Sequence, residues 1–298
     1  MSRIHLLTAF LLSLLCTPLV AEEVSLPHQG LTLGGELRVP EGKRLGDGPV
    51  VLMTHGTLAH GRMEIMQTLQ DLLADKGYAS LAINLSLGLD GRRGMFDCSL
   101  PQNHRHTDAM KEIGVWFGWL KEKGAKEIVL LGHSRGGNQT AWFAAEYDDA
   151  ALAKVVLIAP MTWSKKGAGE GYRREHGKDL RAAYANAEKQ VAQGRGDAML
   201  KGVGFLHCSQ ATVSAAAFVD YYRDEPRFDS PALLQKIAKP VLVIAGSEDN
   251  VVANLVAEVQ PQAEGERVQL AIIDGADHFF RDLYAEEAVD LITSFIGK

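Results

Sequence analysis

A serine stands among glycines in Gly132-His133-Ser134-Arg135-Gly136, with Gly137 next. A serine hydroxyl is a weak nucleophile that becomes useful when a sharp turn exposes it and a base takes its proton. The small residues here permit such a turn, after the apolar run 128–131 and before a helix expected to begin near Asn138. At a helix N-terminus the backbone dipole also favours negative charge developing on an attacked group. The pattern points to nucleophilic chemistry at Ser134. A tight turn with only a structural role is the alternative.

The chain holds ten histidines, so a base has to be selected by position. His278 lies in Asp274-Gly275-Ala276-Asp277-His278-Phe279-Phe280, just past the apolar run 268–273. A histidine at the C-terminal end of a parallel strand faces the same sheet edge as Ser134, the edge where ligands collect. A carboxylate must then fix the imidazole tautomer and stabilise its protonated form. Asp249, in Gly246-Ser247-Glu248-Asp249 after the run 241–245, is the expected partner, with Glu248 beside it as competitor. Asp274 and Asp277 are too near His278 in sequence to turn back onto it. Backbone donors for an oxyanion are expected from Arg135 and from the loop Thr54-His55-Gly56-Thr57. Gly56 lets that backbone approach, and the N–H of Thr57, or of Leu58, would donate. His55 reads as a support of the loop rather than a base.

The motifs His55-Gly56, Gly132-His133-Ser134-Arg135-Gly136-Gly137, Pro240 leading to Gly246-Ser247-Glu248-Asp249, and Gly275-Ala276-Asp277-His278 resemble the serine hydrolases of the α/β-hydrolase superfamily. The resemblance runs from about Gly48 to Lys298 and keeps the chain order Ser134, Asp249, His278. It implies a mostly parallel sheet of roughly eight strands with helices on both faces. It further implies a cap, esterase- or lipase-like action on a small-molecule substrate, and neither cofactor nor metal. Dehalogenases resemble the pattern with Asp as nucleophile and dienelactone hydrolases with Cys, and Ser134 departs from both. An amidase, peptidase or perhydrolase would use the same three residues. A binding protein that kept the fold without turnover is the reading from a different class.

Two other runs carry chemistry-bearing side chains. His104-Arg105-His106-Thr107-Asp108 looks like a fragment of a metallo-hydrolase ligand run. A metal needs further ligands and a framework, whereas this run opens a helix expected over 108–121. Arg92-Arg93, in a glycine-flanked loop after the run 80–85, would either meet an anionic substrate or face solvent.

The elements that must position these loops follow from periodicity. Apolar runs at 50–54, 80–85, 128–131, 155–159, 241–245 and 268–273 read as strands, preceded by a weaker alternating stretch at 31–39. Helical spacing over 63–76 places Ile65, Met66, Leu69, Leu72 and Leu73 on one face. Ile113, Trp116, Phe117 and Leu120 form a second face, and Tyr284, Ala288, Leu291, Ile292 and Phe295 a third. Strands apolar on both faces, alternating with helices, imply a covered parallel sheet. The alternation fails once, over residues 162–236. This stretch is expected to be a helical cap, with helices at 178–193 and 210–222 and no convincing strand. Trp163, Tyr172, Phe205, Phe218, Tyr221 and Tyr222 would line a pocket under it or form its core.

The 298 residues are 46% hydrophobic, too apolar for disorder and long enough for one large domain. A net charge of -6 argues against nucleic acid as a partner. Arg3, the leucine-dominated run 6–15, Pro18 and Ala21 have the layout of an export leader cleaved after Ala21, which leaves residues 22–298 as the domain. The run is too short to span a membrane, and Leu15 is too large for lipidation at Cys16. The protein is therefore expected to be periplasmic or secreted. Of three cysteines, Cys98 and Cys208 remain, and in an oxidising compartment the two are expected to pair. Nothing in the sequence sets the oligomeric state.

Overall fold

The computed structural model describes residues 21–263 and 265–298. The expected leader and Cys16 lie outside these residues, apart from Ala21. β1 (Glu22–His28) and β2 (Leu31–Arg38) open the chain. Then β3 (Val50–Thr54), α1 (Glu64–Asp75), β4 (Ala79–Asn84), α2 (Asp108–Glu122), β5 (Ile128–His133), α3 (Arg135–Glu146) and β6 (Leu152–Ile158) alternate. The segment before the next sheet strand holds α4 (Lys165–His176), α5 (Leu180–Ala192), β7 (Met199–Phe205), β8 (Cys208–Ser214), α6 (Ala215–Tyr222) and the short α7 (Pro231–Leu234). The chain finishes with β9 (Val241–Gly246), α8 (Leu255–Val259), β10 (Val268–Ile273) and α9 (Leu283–Ile296).

The sheet has eight strands in the order β1-β2-β4-β3-β5-β6-β9-β10. β1–β2 and β2–β4 are antiparallel, and every other pairing is parallel. Every residue of β3, β4, β5 and β9 is buried, which requires cover on both faces. α1 packs against α9, while α2 packs against α3, which lies on β5 and β6. The strand order reverses around β3, and the crevice at such a switch point collects ligands at the strands' C-terminal ends. Register sets this up: Thr54 pairs with Gly132, His133 with Ile158, and Gly246 with Ile273. The loops after β3, β5, β9 and β10 therefore leave the sheet along one edge.

The central strands fall where apolar runs placed them, and four expectations are corrected. First, α3 starts at Arg135 rather than near Asn138, because the turn at Ser134 is itself the helix entry. Gly136 and Gly137 lower helix propensity and hid that start. Second, the segment 162–236 does contain strands. β7 and β8 form a separate antiparallel ribbon, so only Ala215–Tyr222 of the expected helix 210–222 is helical. Register shifts flank Val203, and Gly202 has a φ of 66°, so bulging broke the alternation that would have revealed the strand. Third, α4 was not anticipated. Three glycines dilute it, yet the Ser164 hydroxyl caps it by accepting from Gly167 N, and Gly177 ends it at a φ of 64°. The β10 edge strand is also half-exposed rather than apolar on both faces, with Ile272 open to solvent. A second apolar cluster, around Tyr172, Phe205, Phe218 and Tyr221, gives the segment between β6 and β9 its own core. Among the described residues no helix is long and apolar enough to cross a membrane.

Candidate active site

Ser134 occupies a turn with φ 56° and ψ -124°, a region costly for a residue with a Cβ. Surrounding bonds hold it there: Ser134 N donates to Ile158 O at 3.0 Å, and Met161 N donates to Ser134 O at 3.0 Å. The adjoining glycines are forced by space. A Cβ on Gly132 would lie 2.5 Å from Gly136 O, and one on Gly136 would lie 2.2 Å from His55 O. The elbow is thus pressed against the β3 loop, and Gly56 sits so that a Cβ there would lie 3.2 Å from Ser134 Cβ.

His278 Nε2 lies 2.9 Å from Ser134 Oγ, and His278 Nδ1–H donates to Asp249 Oδ2 at 2.7 Å. The other Asp249 oxygen accepts from Val251 N at 2.8 Å and Val252 N at 3.1 Å. Burial by itself would raise the Asp249 pKa. The His278 hydrogen bond, the His278 charge and the two amide donors outweigh it, and the carboxyl is held below its ordinary value. Glu248 is exposed. Asp274 accepts from Ser247, and Asp277 accepts from Phe279 N and Arg281, so none of the three competes for His278.

The other histidines near the elbow have structural partners. His133 Nε2–H donates to His278 O at 2.8 Å, tying the loop of His278 to the strand that leads into Ser134. Burial, above all, lowers the His133 pKa to about 4, so the ring is neutral at ordinary pH. His55 Nδ1–H donates to Gly56 O at 2.9 Å, and its Nε2 accepts from Leu85 N at 3.1 Å and from Arg92 Nη2. Its pKa falls to about 3 through burial and the nearby Arg92 charge, as a support and not a base requires.

Thr57 and Arg135 both line the cavity around Ser134. Neither backbone N–H has an acceptor among the described residues, and for Arg135 this is the orphan donor of a helix start. The two are linked, because Arg135 Nε–H donates to Thr57 Oγ1 at 3.0 Å. Sequence reading did not anticipate that bond, which joins residues brought together only by the β3–β5 pairing.

The cavity measures about 650 Å³. Trp163, Tyr172, Tyr221 and Tyr222 line it as considered from the sequence, whereas Phe205 and Phe218 lie wholly within the core above. Met95, Phe228, Val251 and Phe279 also line it and were missed, since their loops meet only in the fold. His104 and His106 are buried and do not converge on Asp108. His104 Nδ1 bonds the Tyr221 hydroxyl at 2.8 Å, while Asp108 accepts from Arg105 N. Among the described residues no group of three His, Cys, Asp or Glu is placed to hold a metal. Arg92 is buried against Leu85 O, Gly94 O, Asn84 and His55, and Arg93 pairs with Glu23 at 2.7 Å, so neither faces the cavity. Cys98 and Cys208 are joined in a disulfide with Cα atoms 5.4 Å apart, tying the loop after β4 to β8.

Solved structures with the same fold include Est1E from Butyrivibrio proteoclasticus, 17% identical, covering 93% of this chain and 99% of that one, TM-score 0.63. The Pyrococcus furiosus esterase PF2001 is 18% identical, covering 94% of this chain and 91% of that one, TM-score 0.61. The alpha/beta hydrolase GrgF from Penicillium sp. sh18 is 18% identical, covering 93% and 98%, TM-score 0.67. Likeness at these identities speaks for the fold. The model of the alpha/beta hydrolase fold family matches residues 49–281, well over half of the chain, and this protein belongs to that family.

Proposed function

We propose that the protein is an exported serine esterase that cleaves carboxylic esters through an acyl-enzyme. The observation that carries the reading is the hydrogen-bonded line from Asp249 through His278 to Ser134. In the first half-reaction Ser134 Oγ attacks the ester carbonyl while its proton passes to His278 Nε2. The negative charge on the tetrahedral oxygen is met by the N–H groups of Thr57 and Arg135. Collapse of the intermediate breaks the acyl–oxygen bond, and the imidazolium gives its proton to the departing alcohol. Water then enters, loses a proton to His278 and attacks the acyl carbonyl, and the acid leaves as Ser134 regains its hydrogen. Asp249 stays ionised throughout and holds the Nδ1–H tautomer. A cavity lined by Trp163, Met161 and the cap tyrosines suits esters of small or medium size. A structural neighbour carries the name esterase, and the Cys98–Cys208 bond is in keeping with an oxidising compartment.

A fluorophosphonate probe on the purified protein is expected to label Ser134, and Ser134→Ala is expected to lose labelling together with about 10³-fold or more of ester turnover. Retained turnover in Ser134→Ala would remove the assignment. Matched esters and amides measure the preference for esters, and the N-terminus of protein from the exported fraction is expected to begin at Glu22.

A further inference from the structure

Arg135 enters the cavity beside Ser134 as a cation without a counter-charge. Its Nε–H donates to Thr57 Oγ1, its Nη1 reaches His106 Nδ1 at 3.4 Å, and the guanidinium lies 5.4 Å from the centre of the Tyr221 ring. These partners are a hydroxyl, a neutral imidazole and a phenol face. Its Nη2 has no acceptor among the described residues. The other half-buried or buried arginines end on carboxylates or, as Arg92 and Arg267 do, on backbone carbonyl oxygens. Arg38 meets Glu36 and Asp71, Arg223 meets Asp220 and Glu225, and Arg227 meets Glu225 and Glu146. Burial disfavours the Arg135 charge, and the neighbours that favour it are the phenols of Tyr221 and Tyr222 rather than carboxylates. Taking a cation out of water without an anion is costly. The cost is met when a ligand brings the anion.

The other charged side chains that line the cavity are Arg174, Glu170 and Glu175. The two glutamates, on α4, have partners of their own: Glu170 pairs with Lys166 at 3.8 Å and Glu175 with His207 at 3.5 Å. Arg174, on the same helix and also lining the cavity, has no ion pair among the described residues. Beside Ser134 an anion therefore meets the guanidinium of Arg135, while the two glutamates that line the cavity stand on α4.

We propose that the preferred substrate is an ester carrying a carboxylate, and that Arg135 holds this carboxylate while Ser134 attacks the ester carbonyl. The proposal rests on the esterase reading and names its substrate class. Guanidinium and carboxylate match in geometry, and the charge-assisted contact would be made through Nη2 and the free hydrogen of Nη1. The carboxylate could belong to the acyl part, as in a half-ester of a dicarboxylic acid, or to the alcohol part, as in an acylated hydroxy acid.

The test compares matched pairs that differ in that charge. Monomethyl glutarate against methyl valerate reads the acyl side, and 4-acetoxybenzoate against 4-methylphenyl acetate reads the alcohol side. In the wild-type protein kcat/KM is expected to favour the anionic member of one pair by about tenfold or more, the effect of one hydrogen bond to a charged group. Arg135→Gln is expected to bring that ratio to near one, Arg135→Lys to keep most of it, and Thr57→Val to lower both members together. Equal kcat/KM within both pairs in the wild-type protein overturns the proposal and needs no variant to fold. A ratio that survives in Arg135→Gln overturns it as well. If neutral esters are hydrolysed and Ser134 is labelled by the fluorophosphonate, the esterase reading stands through either outcome. Absence of both labelling and hydrolysis of every ester removes that reading and the carboxylate proposal with it.

Discussion

A Cβ on Gly136 would sit 2.2 Å from His55 O and 2.6 Å from Thr54 O, and both obstacles are backbone. No rotamer relieves such a clash, so Gly136→Ala must push the turn at Ser134 and the loop after β3 apart. The expected result is a loss of about 3 kcal/mol in unfolding free energy, together with most of the ester turnover. Gly118, inside α2, gives the contrast, since a Cβ there would meet nothing within 4 Å. Gly118→Ala is expected to gain about 0.5–1 kcal/mol by lowering backbone entropy in the unfolded chain. Urea titration of both variants checks the pair, and equal shifts would show that the elbow is not sterically tight. The turn at Ser134 and Gly136 was legible in sequence because a tight strand-to-helix turn is a local constraint, written in five adjacent residues. The loops holding Asp249 and His278 were legible for the same reason. The Arg135–Thr57 and His104–Tyr221 contacts were not, because the fold brings those partners together from distant parts of the chain.

Among the elements, the strands that carry the site were readable because a strand buried on both faces has to be apolar throughout. Of the pieces that cover the site, α5 was readable, expected over 178–193 and found at Leu180–Ala192, whereas the others, like the edge strand β1, were not. β7 mixes Lys201, Gly202 and Gly204 into its alternation, α4 is diluted by glycine, and β1 begins with Glu22 and Glu23. Such elements are stabilised by what they pack on and show little pattern of their own. The cover is attached at several points, among them His104–Tyr221, Thr107–Asp220 and Asn138–Arg227 O. Cys208 at the start of β8 is bonded to Cys98, and Gln102 in the same loop bonds β8 through its N–H to Thr212 O at 2.8 Å and its carbonyl to Ser214 N at 2.9 Å. Phe96 N in turn donates to Leu58 O at 2.9 Å, next to the oxyanion loop. Because the bond closes a separation of 110 residues, replacing both cysteines by serine is expected to cost about 2–5 kcal/mol. Turnover is expected to change mainly through a raised KM, as Ser134, His278 and Asp249 stand on the sheet. Thermal unfolding with and without reductant, beside steady-state kinetics, checks this. An unchanged melting temperature under reductant would mean that the hydrogen bonds suffice to hold the cover.

Across the whole molecule, buried histidines couple stability to pH. His55 and His104 have pKa values lowered to about 3 and His133 to about 4, with His106 also well below its ordinary value, in every case chiefly through burial. In the unfolded chain each takes up a proton near pH 6.5. Between that pH and about 4 the unfolded state thus binds more protons than the folded one, so stability must fall as pH falls. Each histidine contributes up to about 1.4 kcal/mol per pH unit well below 6.5, and the four together roughly 5 kcal/mol per unit. Glu112 works in the opposite direction, since burial raises its carboxyl pKa and the folded state takes that proton first. Burial also raises the Asp229 and Glu258 carboxyls, while His60 and His176 join the lowered histidines, so the histidines outnumber the opposing groups. Guanidinium unfolding at pH 7.5, 6.0 and 5.0 is expected to show a midpoint falling steeply across the lower two values. His104→Phe is expected to reduce the slope by one proton, with the new ring packed among Phe96, Phe205 and Tyr221. A midpoint unchanged from pH 7.5 to 5.0 would mean that these rings accept protons in the folded protein.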